Sequence, residues 1–144
     1  MILALDVDGT LIRNVNEPVP RPFLRAFLET LPSITERVCI YSAADPAYVE
    51  RAFFYLVSKQ HAPHALFVYP RVRWERTGTK RMWRAADLFQ GNPAEVVLVD
   101  DMEQFIHPSE RLQWEPISPF QDNPNDAELL RILRKLFQRN LTRR

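Results

Sequence analysis

Three apolar runs in the chain each stop abruptly on polar residues: Leu3 to Leu5 on Asp6, Val38 to Tyr41 on Ser42, and Val96 to Val99 on Asp100 and Asp101. None of the runs alternates apolar with polar positions, so both faces of each strand are buried, as in the inner strands of a parallel sheet. Two weaker runs, within "ALFVYPRVRW" and "LQWEPISPF", predict further short strands. Between the runs the apolar spacing changes to that of helices. Phe23, Leu24, Phe27, Leu28 and Leu31 mark one helix. A second follows Asp45 and Pro46, an N-cap with proline at the first helical position. A third carries Met82, Trp83, Ala86 and Leu88 or Phe89; it is predicted to begin near Lys80 and to end at Gly91. The last, in "DAELLRILRKLFQRN", is amphipathic, with Leu129, Leu130, Leu133, Leu136 and Phe137 expected to face inward. Strands alternating with helices predict an α/β fold, a three-layer, doubly wound parallel sheet with helices on both faces.

At 144 residues the chain suits one domain, expected over positions 1–144. Nineteen Lys and Arg against eighteen Asp and Glu leave a net charge of +1, which provides no global field for a polyanion or an anionic membrane. Cys39 is the single cysteine and sits in an apolar stretch, so an inert buried thiol is expected and no intrachain disulfide can form. The opening apolar run is interrupted by Asp6 and Asp8 before it reaches the length of a secretory signal, and no segment has the length of a membrane span. A soluble intracellular protein, cytoplasmic or nuclear, with no membrane partner, is the expectation.

In open parallel sheets ligands bind beyond the carboxyl ends of the strands. That rule brings Asp6, Asp8, Thr10, Ser42, Asp100 and Asp101 to one edge, within reach of Lys80. Two like charges about 4 Å apart repel by roughly 4 kcal/mol at an effective dielectric near 20, so such a set of acids calls for a cation, and oxygen ligands suit magnesium. A metal with a lysine and a hydroxyl beside it accepts a phosphate. A carboxylate facing phosphorus is then a nucleophile, and a second one nearby is an acid and base. Arg81 is a rival to Lys80 for the phosphate. His61, His64 and His107 have no paired metal spacing and read as structural or exposed. Trp74, Trp83 and Trp114 read as packing residues that also have the option of lining the approach.

At these residues the chain resembles the haloacid dehalogenase superfamily of phosphohydrolases. "DVDGT" is similar to its first motif, Ser42 to its second, Lys80 to its third and "VDD" to its fourth, in the same order. The resemblance implies that Asp6 is nucleophile and magnesium ligand, and that Asp8 is general acid and base with its backbone carbonyl on the metal. It makes Ser42 and Lys80, with Thr10, holders of the phosphoryl group. Asp100 completes the metal site, and Asp101 assists it directly or through water.

A narrower resemblance, through "RPFLRAFL", "IYSAADPAYVERAFFYL", "VLVDDMEQFIHPSERLQWEPISPF" and "QDNPNDAELLRILRKL", is to the small C-terminal-domain phosphatases, or NLI-interacting-factor-like group. It implies a capless or minimally capped fold and a phosphoprotein substrate. The group usually reads Asp-Leu-Asp-Glu-Thr where this chain has "DVDGT", and Asp-Asn at Asp100 and Asp101; the stretch from Thr10 to Ser42 is also shorter than the group's inserted strands require. A small phosphate ester, a nucleic-acid end gripped by Arg71, Arg73 and Arg76, and a catalytically silent phosphopeptide-binding module are the alternatives.

Overall fold

The computed structural model describes residues 1–143. Four parallel strands, β1 (Ile2–Leu5), β2 (Val38–Ile40), β3 (Val96–Asp100) and β4 (Trp114–Pro116), lie in the order β2-β1-β3-β4. The chain winds outward from β1 to β2, returns across β1 to β3, and then continues to β4. The reversal falls between β1 and β3, the switch point where ligands enter such sheets.

The strands bury both faces, as their unbroken apolar runs require. Leu3, Leu5, Val38, Ile40, Val97 and Val99 share one core cluster with side chains from α1 (Leu24–Thr30), α2 (Pro46–Ser58) and α5 (Glu128–Thr142). Ile2, Ala4, Cys39, Val96 and Leu98 point the other way, against Met82, Ala85 and Ala86 of α4 (Met82–Asp87). The α/β layering expected from the sequence is therefore observed. Asp45 caps α2 by accepting a bond from the Ala47 amide at 2.9 Å, with Pro46 in the first turn.

Four local expectations are corrected. The run "ALFVYPRVRW" forms no strand: Ala65–Val68 is a short helix, α3, and pairing with the sheet is reduced to a bridge between Arg71 and Ile40. Pro70 explains the brevity, because it has no N–H and contributes only its carbonyl, which accepts from the Ile40 amide at 2.9 Å. Helix α4 starts at Met82, leaving Lys80 in the preceding segment with its amide bonded to the Phe105 carbonyl at 2.7 Å. After α4 the left-handed residue is Gln90 (φ 52°), not Gly91. Gly91 is needed for space instead, since a Cβ there would lie 2.6 Å from Ile2 Cδ1. In α5, Ile132 occupies the buried stripe with Leu129, Leu133 and Leu136, while Leu130 is half-buried and Phe137 exposed.

Candidate active site

Beyond Leu5 the first strand turns sharply: the Val7 carbonyl accepts from the amides of Thr10, Leu11 and Ile12, and Gly9 takes φ 77°. A side chain at Gly9 would put its Cβ 2.4 Å from Asp101 Oδ2, so the glycine allows the loop to lie against the acid that follows β3. The Asp6 amide bonds the Val99 carbonyl at 3.0 Å, fixing the ends of β1 and β3 side by side.

This register assembles the acids. Asp6, Asp100 and Asp101 offer carboxylate oxygens that all lie within 4.8 Å of one another. Lys80 Nζ donates to Asp6 Oδ1 at 2.9 Å and to Asp100 Oδ2 at 2.5 Å, and the Thr10 hydroxyl donates to Asp6 Oδ2 at 2.8 Å. The second Asp100 oxygen accepts the Met102 amide at 2.9 Å. Asp8 and Ser42 line the same open pocket of about 390 Å³. The Ser42 hydroxyl accepts from the Ala44 amide at 3.0 Å, which leaves its own hydrogen free to donate. Asp6, Asp8, Thr10, Ser42, Lys80, Asp100 and Asp101 thus lie in or beside one pocket, though the Asp8 carboxylate stands outside the trio. Among the described residues its Oδ1 is buried without a hydrogen-bond partner.

Lys80 is fully buried, and its ammonium sits 5.0 to 5.8 Å from the ring centres of Phe105, Tyr41 and Trp74. Burial alone would lower its pKa; Asp6 and Asp100 overcome that and hold it above the ordinary lysine value. Burial and then the Asp6 charge push the Asp100, Asp101 and Asp8 carboxyls upward. One ammonium does not neutralise such a group, and a divalent cation fits the remaining negative charge and the oxygen-only donor set. Arg81 points elsewhere, bonding Glu110 at 2.9 Å. Trp83 is exposed, and His107 caps the turn at Pro108–Gln113 by accepting the Ser109 amide. Cys39 is buried, its thiol pushed up to about 12 by desolvation.

Two supporting roles have no signal in the sequence, a hydrogen bond from Trp114, which reads there as a packing residue, and the bonds of Arg21. The Trp114 indole donates to the Asp100 carbonyl at 2.9 Å. Arg21, 1% exposed, donates to the carbonyls of Gly9 (3.0 Å), Thr10 (3.2 Å) and Ser118 (2.6 Å), and forks onto both Asp126 oxygens at 3.0 and 2.9 Å. The Gly9 carbonyl also accepts the Phe120 amide at 2.9 Å, so the loop carrying Asp8 is clamped to the segment before α5. No signal short of the paired "RP" and "DNPND" segments meeting in space would have found this clamp.

A search of curated proteins finds no match. No helix among the described residues is long and apolar enough to cross a membrane. Residues 1–142 match the family described as NLI interacting factor-like phosphatase. That match covers nearly the whole chain, and the chain belongs to the NLI interacting factor-like phosphatase family.

Proposed function

We propose that the protein is a magnesium-dependent phosphomonoester hydrolase that works through an aspartyl-phosphate at Asp6, on a phosphoprotein substrate. The observation that carries this is Lys80 bridging Asp6 and Asp100 inside the three-carboxylate cluster. Magnesium held by Asp6, Asp100, Asp101 and the Asp8 backbone carbonyl would neutralise phosphoryl oxygens. The remaining steps belong to the chain. Lys80 and the Ser42 hydroxyl hold phosphoryl oxygens, and Thr10 orients the Asp6 carboxylate through its 2.8 Å bond. An Asp6 oxygen forms a bond to phosphorus as the ester P–O bond breaks. Asp8, whose carboxyl is pushed upward by burial and then by the Asp6 charge, gives a proton to the leaving oxygen. It then takes a proton from the water that attacks phosphorus, releasing phosphate and restoring Asp6. The open mouth, with Arg13, Met102, Phe105 and Phe120 around it, suits a large substrate.

The test is aryl phosphate hydrolysis with magnesium, expected to vanish with chelator and in Asp6→Asn. Undiminished turnover by Asp6→Asn rejects the nucleophile.

A further inference from the structure

From Ser42 and Ala44, which also line the catalytic pocket, a second open groove of about 640 Å³ runs along the 71–76 segment to Arg84. Its charge is opposite to that of the pocket it joins. Four arginines, Arg71, Arg73, Arg76 and Arg84, line it against one carboxylate, Glu75. Two of the four are already engaged. Arg71 bonds Glu50 at 2.8 Å and lies over the Phe53 ring at 4.9 Å, while Arg84 bonds the Arg73 carbonyl at 3.2 Å and covers Trp83 at 4.6 Å. Arg73 and Arg76 are exposed, and among the described residues neither has a carboxylate within ion-pair distance. A chain of net charge +1 thus gathers Asp6, Asp8, Asp100 and Asp101 at one pocket and leaves two unpaired guanidinium groups, among the described residues, in the adjoining groove.

A small apolar notch of about 40 Å³ lies between Ser42 and Arg71, walled by Ile40, Ala44, Val49 and Val72. Apart from Ser42, Glu50 and Arg71 its walls are aliphatic, which suits a short aliphatic side chain. Among the described residues the one aromatic ring lining the groove, Trp74, is already packed edge-on with Tyr41 at 6.0 Å and Phe105 at 5.2 Å, which leaves a poor platform for base stacking. Charge complementarity and the notch therefore favour a peptide over a nucleic acid.

We propose that this groove is a subsite for the acidic flank of a phosphopeptide substrate, held by Arg73 and Arg76; the proposal rests on the phosphatase reading above and names its substrate class.

The experiment compares kcat/KM for phosphoserine peptides with three acidic residues before the phosphoserine, three after it, or neutral flanks. A phosphorylated oligonucleotide and an aryl phosphate run alongside. One acidic flank is expected to exceed the neutral peptide by about tenfold, the effect of about 1.4 kcal/mol. In the charge-reversed R73E/R76E double variant the ratio of acidic to neutral peptide is expected to fall below one. Taking the ratio within one variant cancels any loss of folded protein. Equal kcat/KM for acidic and neutral peptides in the natural chain overturns the proposal, as does an unchanged ratio in R73E/R76E. An oligonucleotide turned over faster than every peptide overturns the peptide assignment. If neither aryl phosphate nor any peptide is hydrolysed, the phosphatase reading fails separately. Fluorescence anisotropy of the same labelled peptides then decides the groove: tighter binding of an acidic flank upholds it, and equal binding overturns it.

Discussion

Two cations are buried among the described residues, Lys80 and Arg21, and they are satisfied in opposite ways. Lys80 faces carboxylates, Asp6 at 2.9 Å and Asp100 at 2.5 Å, within a collar of aromatic rings. Arg21 faces one carboxylate and three backbone carbonyls, at Gly9, Thr10 and Ser118. Lysine is a compact point charge that balances acids from any direction; arginine is a planar fork that reads fixed oxygen positions. The first therefore sets the charge of the site and the second sets the path of the loop that carries it. Removing each should fail differently.

The largest effect is expected at Lys80. Lys80→Met leaves Asp6, Asp100 and Asp101 without their counter-charge, which should lower stability by about 3–5 kcal/mol in urea unfolding and reduce aryl phosphate turnover to background. Magnesium should restore part of that stability, since it would balance the same carboxylates. Arg21→Met should cost about 3 kcal/mol, because it strands the half-buried Asp126 carboxylate and the carbonyls of the loop. Magnesium should restore none of it. A double-mutant cycle with Asp126→Asn should show a coupling of at least about 1 kcal/mol. Equal rescue of both variants by magnesium would erase the distinction between the two cations.

The acids around Lys80 also predict a pH response. Burial, and then the Asp6 charge, push Asp100 up to about 6 and Asp101 up to about 7, from an ordinary value of 3.8. Folded-state values above unfolded ones mean that the folded, metal-free protein holds more protons between pH 4 and 7. Its stability is then greatest near the lower end and falls as pH rises through about 7. Metal must displace those protons, so magnesium affinity should strengthen from pH 5.5 to 7.5. Calorimetric titration at the two pH values measures this, and Asp101→Asn should flatten the dependence. An affinity independent of pH would remove the acids from the metal site.

The same contrast explains what was legible in the sequence. Lys80 and its acids announce themselves because each carboxylate closes an apolar run, and the rule that ligands gather at strand ends places them together without any knowledge of side-chain packing. The sheet and its two layers of helices follow from the same runs. Arg21 carries no such signal, because its partners are mostly carbonyls, which have no sequence signature, and Asp126 lies 105 positions away. The failed strand in "ALFVYPRVRW" has a local cause: its apolar residues suit either element, and only the tertiary path, with Pro70 at the sheet edge, selects a turn of helix. Phe137 was placed inward by helical spacing, yet the stripe of α5 that meets the core is centred on Ile132.

The smallest expected effect lies one residue from the largest. Arg81 carries the same charge as Lys80 and was its rival for the phosphate, but its side chain is 40% exposed and pairs with Glu110 at 2.9 Å. Water screens that pair, and Glu110 stays within 3.4 Å of the Met82 amide when the guanidinium is gone. Arg81→Ala should therefore cost no more than about 1 kcal/mol and change aryl phosphate kcat/KM by less than about twofold. A collapse of turnover matching that of Lys80→Met would mean that position in the sheet-edge cluster, not burial against Asp6 and Asp100, decides which cation serves the site. A near-silent substitution would leave desolvation as the difference between two adjacent cations, since charge and place in the chain are almost the same.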